Sequence, residues 1–137
     1  MTHAMAPLLK RFLSHYMPVQ RGYSQNTVCA YRDAVKLLLC YVADTLKKSV
    51  DNLNVQDVAE KAVLEFLDYI EQQRGCTAST RNARLAAIRS LFAFIAREKP
   101  ELVLQAQQVR SIPRKRTEHK NQGSVIDRSL CWKAQVD

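Results

Sequence analysis

Glycine and proline are scarce in this sequence, with three and four in 137 residues. So few turn-formers argue against a β-sandwich or barrel, which needs a tight turn every few residues. No apolar run approaches the roughly 20 residues that span a bilayer. The first residues, Met1 to Pro7, lack the charged and apolar regions of a signal peptide. The four cysteines, Cys29, Cys40, Cys76 and Cys131, form no C-x-x-C pair and show no metal-ligand spacing. Cys29 and Cys40 stand three turns apart on one expected helix, roughly 16 Å, so they do not bridge. Buried, reduced thiols in a cytosolic protein are the expectation. With three separated glycines, Gly22, Gly75 and Gly123, a Gly-rich phosphate loop is excluded. His3, His15 and His119 have no cysteine or carboxylate at metal-ligand spacing. No cofactor, membrane or small-molecule substrate is expected.

What is present is an uneven distribution of positive charge. The stretch from Arg74 to Lys120 carries eleven Lys/Arg against three acids, Glu98, Glu101 and Glu118. The first 73 residues balance eight bases with eight acids, and the last 17 balance two with two. The whole net charge of +8 therefore lies in about a third of the chain, the footprint of a polyanion partner.

The apolar periodicity is helical throughout, and the fold class is all-α. Pro7 to Met17 reads as a short amphipathic helix, broken at Arg21-Gly22. Ser24 caps a long helix to about Leu46 whose apolar stripe is Val28, Tyr31, Val35, Leu38, Leu39 and Val42. After a polar connection at Asn52 to Asp57, a third helix runs to about Arg74 and is stopped by Gly75. Asp57, Glu60, Glu65, Asp68 and Glu71 read as its solvated face. Thr77 caps a fourth helix to about Arg97, ended by Pro100, and a short helix follows over Glu101 to Val109. Ile112-Pro113-Arg114-Lys115-Arg116 reads as extended, because Pro113 disfavours helix at the residue before it. Residues 1–109 are thus expected to form a helical domain, 110–120 a basic linker and 121–137 an irregular tail.

Tyr23-Ser24-Gln25-Asn26-Thr27 and Cys76-Thr77-Ala78-Ser79-Thr80 align at a separation of 53 residues, and the match continues into both helices. Either a helix hairpin is duplicated, or two capped amphipathic helices simply look alike. In this register Val28 and Tyr31 correspond to Arg81 and Arg84. Cations at a helix start oppose the macrodipole, and a bound anion would relieve that cost. The hydroxyls of Thr77, Ser79 and Thr80 suit phosphate oxygens, and Arg81, Arg84 and Arg89 would supply charge. The alternative for Arg81 and Arg84 is that their stems lie on the bundle and their heads reach water. The run Arg110, Arg114, Lys115, Arg116, His119 and Lys120 can track a phosphate backbone; a nuclear-localisation-like signal is the competing reading.

The pattern Gly22-Tyr23-Ser24-Gln25-Asn26-Thr27 with Tyr31-Arg32, then Ser79-Thr80-Arg81-Asn82-Ala83-Arg84-Leu85-Ala86-Ala87-Ile88-Arg89-Ser90-Leu91-Phe92, then Ile112-Pro113-Arg114-Lys115-Arg116, resembles the tyrosine recombinases, and among them the phage-integrase and transposon-type integrases of bacteria. The likeness covers about Pro7 to Lys120. It implies a SAM-like bundle of four to five helices, the core-binding half of a clamp around duplex DNA, in a bacterial cytoplasm. It further implies that Thr27, Thr80, Arg81, Arg84 and Arg89 face DNA, that Arg114, Lys115 and Arg116 cross the backbone, and that other recombinase protomers are partners. The family's second domain holds the scissile phosphate with arginines, a lysine and histidines for attack by a tyrosine. After Lys120 stand 17 residues with Arg128 but no histidine or tyrosine. Tyr16, Tyr23, Tyr31, Tyr41 and Tyr69 all precede the linker, and Cys131 and Trp132 match no family motif. The expectation is therefore DNA binding without strand cleavage, not an enzyme, as a truncated or frame-shifted gene product would be. The alternatives are a helical protein–protein interaction module and a regulatory decoy of an intact recombinase.

Overall fold

The computed structural model describes residues 3–116, and these form an all-α bundle of five α-helices. Helix α1 (Met5–Arg11) continues into wider, π-type turns over Phe12–Gln20. Helices α2 (Gln25–Leu46), α3 (Glu60–Gln72), α4 (Ala78–Glu98) and α5 (Val103–Arg110) follow. The expectations on Glu118, His119, Lys120, Arg128, Cys131, Trp132 and the tail lie outside the described residues.

The caps read from sequence are in place. The Ser24 side chain accepts from the Thr27 N–H, and that of Thr77 from the Thr80 N–H. Gly75 takes the left-handed conformation, φ 70°, that closes α3 at little steric cost. One boundary differs from expectation. The first helical segment does not stop at Met17 but runs to Gln20 with Pro18 inside it. Proline has no N–H and collides with the carbonyl four residues back. Widened turns relieve both conflicts, and Arg21 N–H reaches the carbonyl of Tyr16, five residues back, at 2.9 Å.

Helix α4 is the hub, packing against α2, α3 and α5. Leu85, Ile88, Leu91, Phe92 and Ile95 are fully buried along it, and Phe12 and Phe66 join the same core from other elements. Burying each such side chain is worth about 1.5–3 kcal/mol. The connection from α2 to α3 is held from two sides. Met5 N–H donates to Leu53 O (3.0 Å) and Val55 N–H to His3 O (2.7 Å), while the Gln105 amide donates to Val55 O (2.7 Å) and Val58 O (3.1 Å). Burial pushes the Asp57 carboxyl up, but the Asn54 N–H and the Lys48 ammonium outweigh it and hold the group below its ordinary value. Asp57 is thus a capping and ion-paired residue on this connection, not part of a solvated face. Among the described residues the cysteines are free, and Cys40 is exposed where a buried thiol was expected. No helix among them is long and apolar enough to cross a membrane.

Candidate nucleic-acid interface

The start of α4 carries no acidic residue in its first turn, and Thr77 Oγ1 also donates to Thr80 Oγ1 at 3.2 Å. Thr77 is exposed, while Ser79 and Thr80 are half-buried. Thr27 occupies the matching place on α2, half-buried, its hydroxyl accepting from Ser24 Oγ at 3.1 Å.

The second turn of α4 departs from the reading in which the head of Arg81 extends into water. The residue is buried, 6% exposed, and its neighbour Asn82 is 4% exposed. Arg81 Nη1 donates to the carbonyl of Pro113 at 2.9 Å and to Asn82 Oδ1 at 3.4 Å. Asn82 in turn donates from Nδ2 to the carbonyl of Lys115 and accepts from the Lys115 N–H, both at 2.8 Å. Glu71, near the end of α3, completes the cluster. Its Oε1 lies 2.8 Å from Lys115 Nζ and 3.9 Å from Arg81 Nε. The carboxylate offsets the two cations beside it, which is how a guanidinium is tolerated at this depth.

These contacts bring together residues that sequence placed in separate units. Ile112 is 2% exposed and sits in the core cluster, and α5 runs on to Arg110. The segment 112–116 therefore lies on the α3–α4 corner, with Arg114, Lys115 and Arg116 exposed. Arg84 and Arg89 are half-buried on α4. At about 100° per residue they lie roughly 140° apart around the helix, so they do not share a stripe. The sequence pattern does not mark Asn82 or Glu71 as site residues, and helical period puts Glu71 on a solvated face. A carboxylate one turn before the stop at Gly75, facing a basic segment, was the only signal available.

A second group of arginines lies toward the far end of α4, each over an aromatic ring. Arg97 stacks over Tyr16 (5.4 Å to the ring centre), Arg11 over Phe94 (5.9 Å) and Arg21 over Tyr23 (5.3 Å). The Tyr16 hydroxyl accepts from Arg21 Nη1 at 3.4 Å. That bond lowers the phenol pKa; burial opposes the shift and Arg97 reinforces it. Tyr16 itself is buried against Phe12 and Phe94, so these cations cover the rim of the core.

Residues 9–99 match the family described as phage integrase, N-terminal SAM-like domain. Among similar proteins, putative integrase/recombinase y4rD of Sinorhizobium fredii is 39% identical over 112 residues, covering 82% of this chain and 40% of that protein. Putative integrase/recombinase y4rC of the same organism is 37% identical over 113 residues, covering 82% of this chain and 34% of that one. The tyrosine recombinase XerC of Herpetosiphon aurantiacus is 32% identical over 91 residues, covering 66% and 28% respectively. The chain thus spans two-fifths or less of the length of these relatives. No solved structure matches it.

Proposed function

This chain belongs to the phage-integrase N-terminal SAM-like domain family, and on that premise we propose that it binds duplex DNA as the core-binding part of a site-specific recombinase. The observation that carries the reading is the convergence of charge on one corner. Arg114, Lys115 and Arg116 are exposed, and their segment is joined to the second turn of α4, the helix that also carries Arg84 and Arg89. Binding is mostly through phosphates, with hydroxyls of the capped turn (Thr77, Ser79, Thr80) and, on α2, Thr27 as further contacts. Arg81 takes a different part from the arginines around it, because its guanidinium is engaged with Pro113 and Asn82. Strand cleavage is not assigned to the residues described.

A salt series tests this. Each phosphate neutralised steepens the log–log dependence of affinity on salt by roughly 0.9. Replacing Arg114, Lys115 and Arg116 together by alanine is expected to lower the slope by about 1.8, the share of Arg114 and Arg116, since Lys115 is paired with Glu71, while far-UV helicity stays unchanged. Equal affinity and equal slope for parent and triple variant overturn the assignment.

A further inference from the structure

We infer that Arg81 and Asn82 form an internal dock that grips the basic segment by its backbone and so positions its cations for DNA. The inference rests on the DNA-binding reading for its purpose, but not for its existence.

The contacts are of an unusual kind for a linker. Among the described residues, three of the four hydrogen bonds to residues 113–115 go to main-chain atoms: Pro113 O, Lys115 O and Lys115 N. A carboxamide presents one donor and one acceptor side by side, so Asn82 pairs with both polar groups of a single residue, as a neighbouring strand would. The fourth bond is the ion pair from Lys115 Nζ to Glu71. Ile112, buried in the core, anchors the segment on its helix side. Side chains alternate along an extended chain. With Lys115 turned to Glu71, Arg114 and Arg116 fall on the opposite side and are exposed. The dock therefore separates one cation used for holding from two left for a partner. Asn82 and Arg81 act here as positioning residues, through the segment they hold.

Recognition through the backbone makes distinctive demands. Proteases bind substrates in extended form through the same N–H and C=O groups that Asn82 occupies. The Lys115 amide of the parent chain should exchange with solvent about thirtyfold more slowly than in the free peptide, and trypsin should cut after Arg114 slowly by a similar factor. Asn82→Ala is expected to abolish both protections. Lys115→Ala is expected to keep the cut after Arg114 slow, because the main-chain bonds remain. In duplex binding, Asn82→Ala should weaken affinity in the parent chain but add nothing to the Arg114/Lys115/Arg116 alanine triple. A merely structural asparagine would lower both alike. If Asn82→Ala does not fold, the Lys115 amide of the parent and the Arg81→Met variant, which removes the bond to Pro113 but leaves Asn82 its two bonds to Lys115, decide the matter. Free-peptide exchange at Lys115 in the parent overturns the dock and leaves the DNA reading standing. Protected exchange with no duplex binding by the parent overturns the DNA reading and leaves the dock.

Discussion

The starts of α2 and α4, 53 residues apart, are built alike and used differently. Gly22 and Gly75 share the left-handed conformation, at φ 68° and 70°. The next amide in each case reaches back six residues, Tyr23 to Met17 at 2.9 Å and Cys76 to Ile70 at 3.0 Å. The caps then agree, Ser24 accepting from Thr27 N–H at 3.2 Å and Thr77 from Thr80 N–H at 3.1 Å. One turn later the copies part. Val28 is 9% exposed and belongs to the apolar core, whereas Arg81, at the same register, is 6% exposed and hydrogen-bonded to Pro113. Burial at a given register thus does not prescribe an apolar residue; what lies over the position decides. Over α4 lies a chain segment with main-chain groups to satisfy, and an arginine and an asparagine satisfy them.

The sharpest way to break this comparison is to move the arginine. Val28→Arg places a guanidinium at the register of Arg81, but the residue matching Glu71 is Pro18, which offers no counter-charge. A buried cation without its partner costs roughly 3–5 kcal/mol. We expect a loss of about 3 kcal/mol by urea denaturation. A stability within 1 kcal/mol of the parent would show that the start of α2 has room and partners equivalent to those of α4.

The parts of the fold legible in sequence are those set by local chemistry. Ser24, Thr77 and Gly75 act on their own turns, so capping hydroxyls and a left-handed glycine could be read without any tertiary information. Arg81 could not be read that way. Its acceptor is 32 residues on and is a carbonyl, which any residue would supply, so no side-chain pattern announces it. Asn82 is silent in the sequence for the same reason. Glu71 sits on the polar side of α3 by period, and only the return of segment 112–116 covers it. The run past Met17 to Gln20 is not legible from helical periodicity, because wider turns carry the chain through Pro18.

If the two turns are truly equivalent, their glycines should be equally intolerant. An added Cβ meets nothing within 4 Å at Gly22 or Gly75, so the whole cost of alanine is the left-handed backbone. That penalty is about 1–2 kcal/mol per residue. Gly22→Ala and Gly75→Ala should therefore lose the same stability within a few tenths of a kcal/mol, by urea denaturation. A neutral substitution at one of them would show that its turn relaxes and that the likeness is only of shape.

The caps give the smallest effect and the finest discrimination. Ser24→Ala and Thr77→Ala each remove one side-chain acceptor from a helix start, worth about 1 kcal/mol. The sites share no partner, so the double variant should lose the sum within about 0.5 kcal/mol. Equal global losses need not mean equal local ones. The turn freed by Thr77→Ala ends at Thr80 and abuts Arg81 and Asn82, so fraying there loosens the grip on segment 113–115. Exchange of the Lys115 amide should then accelerate in Thr77→Ala beyond what the loss of global stability explains, and in Ser24→Ala only in proportion to it. If the two variants accelerate it alike, Lys115 opens only when the whole bundle does, and the second copy has no local specialisation beyond its residues.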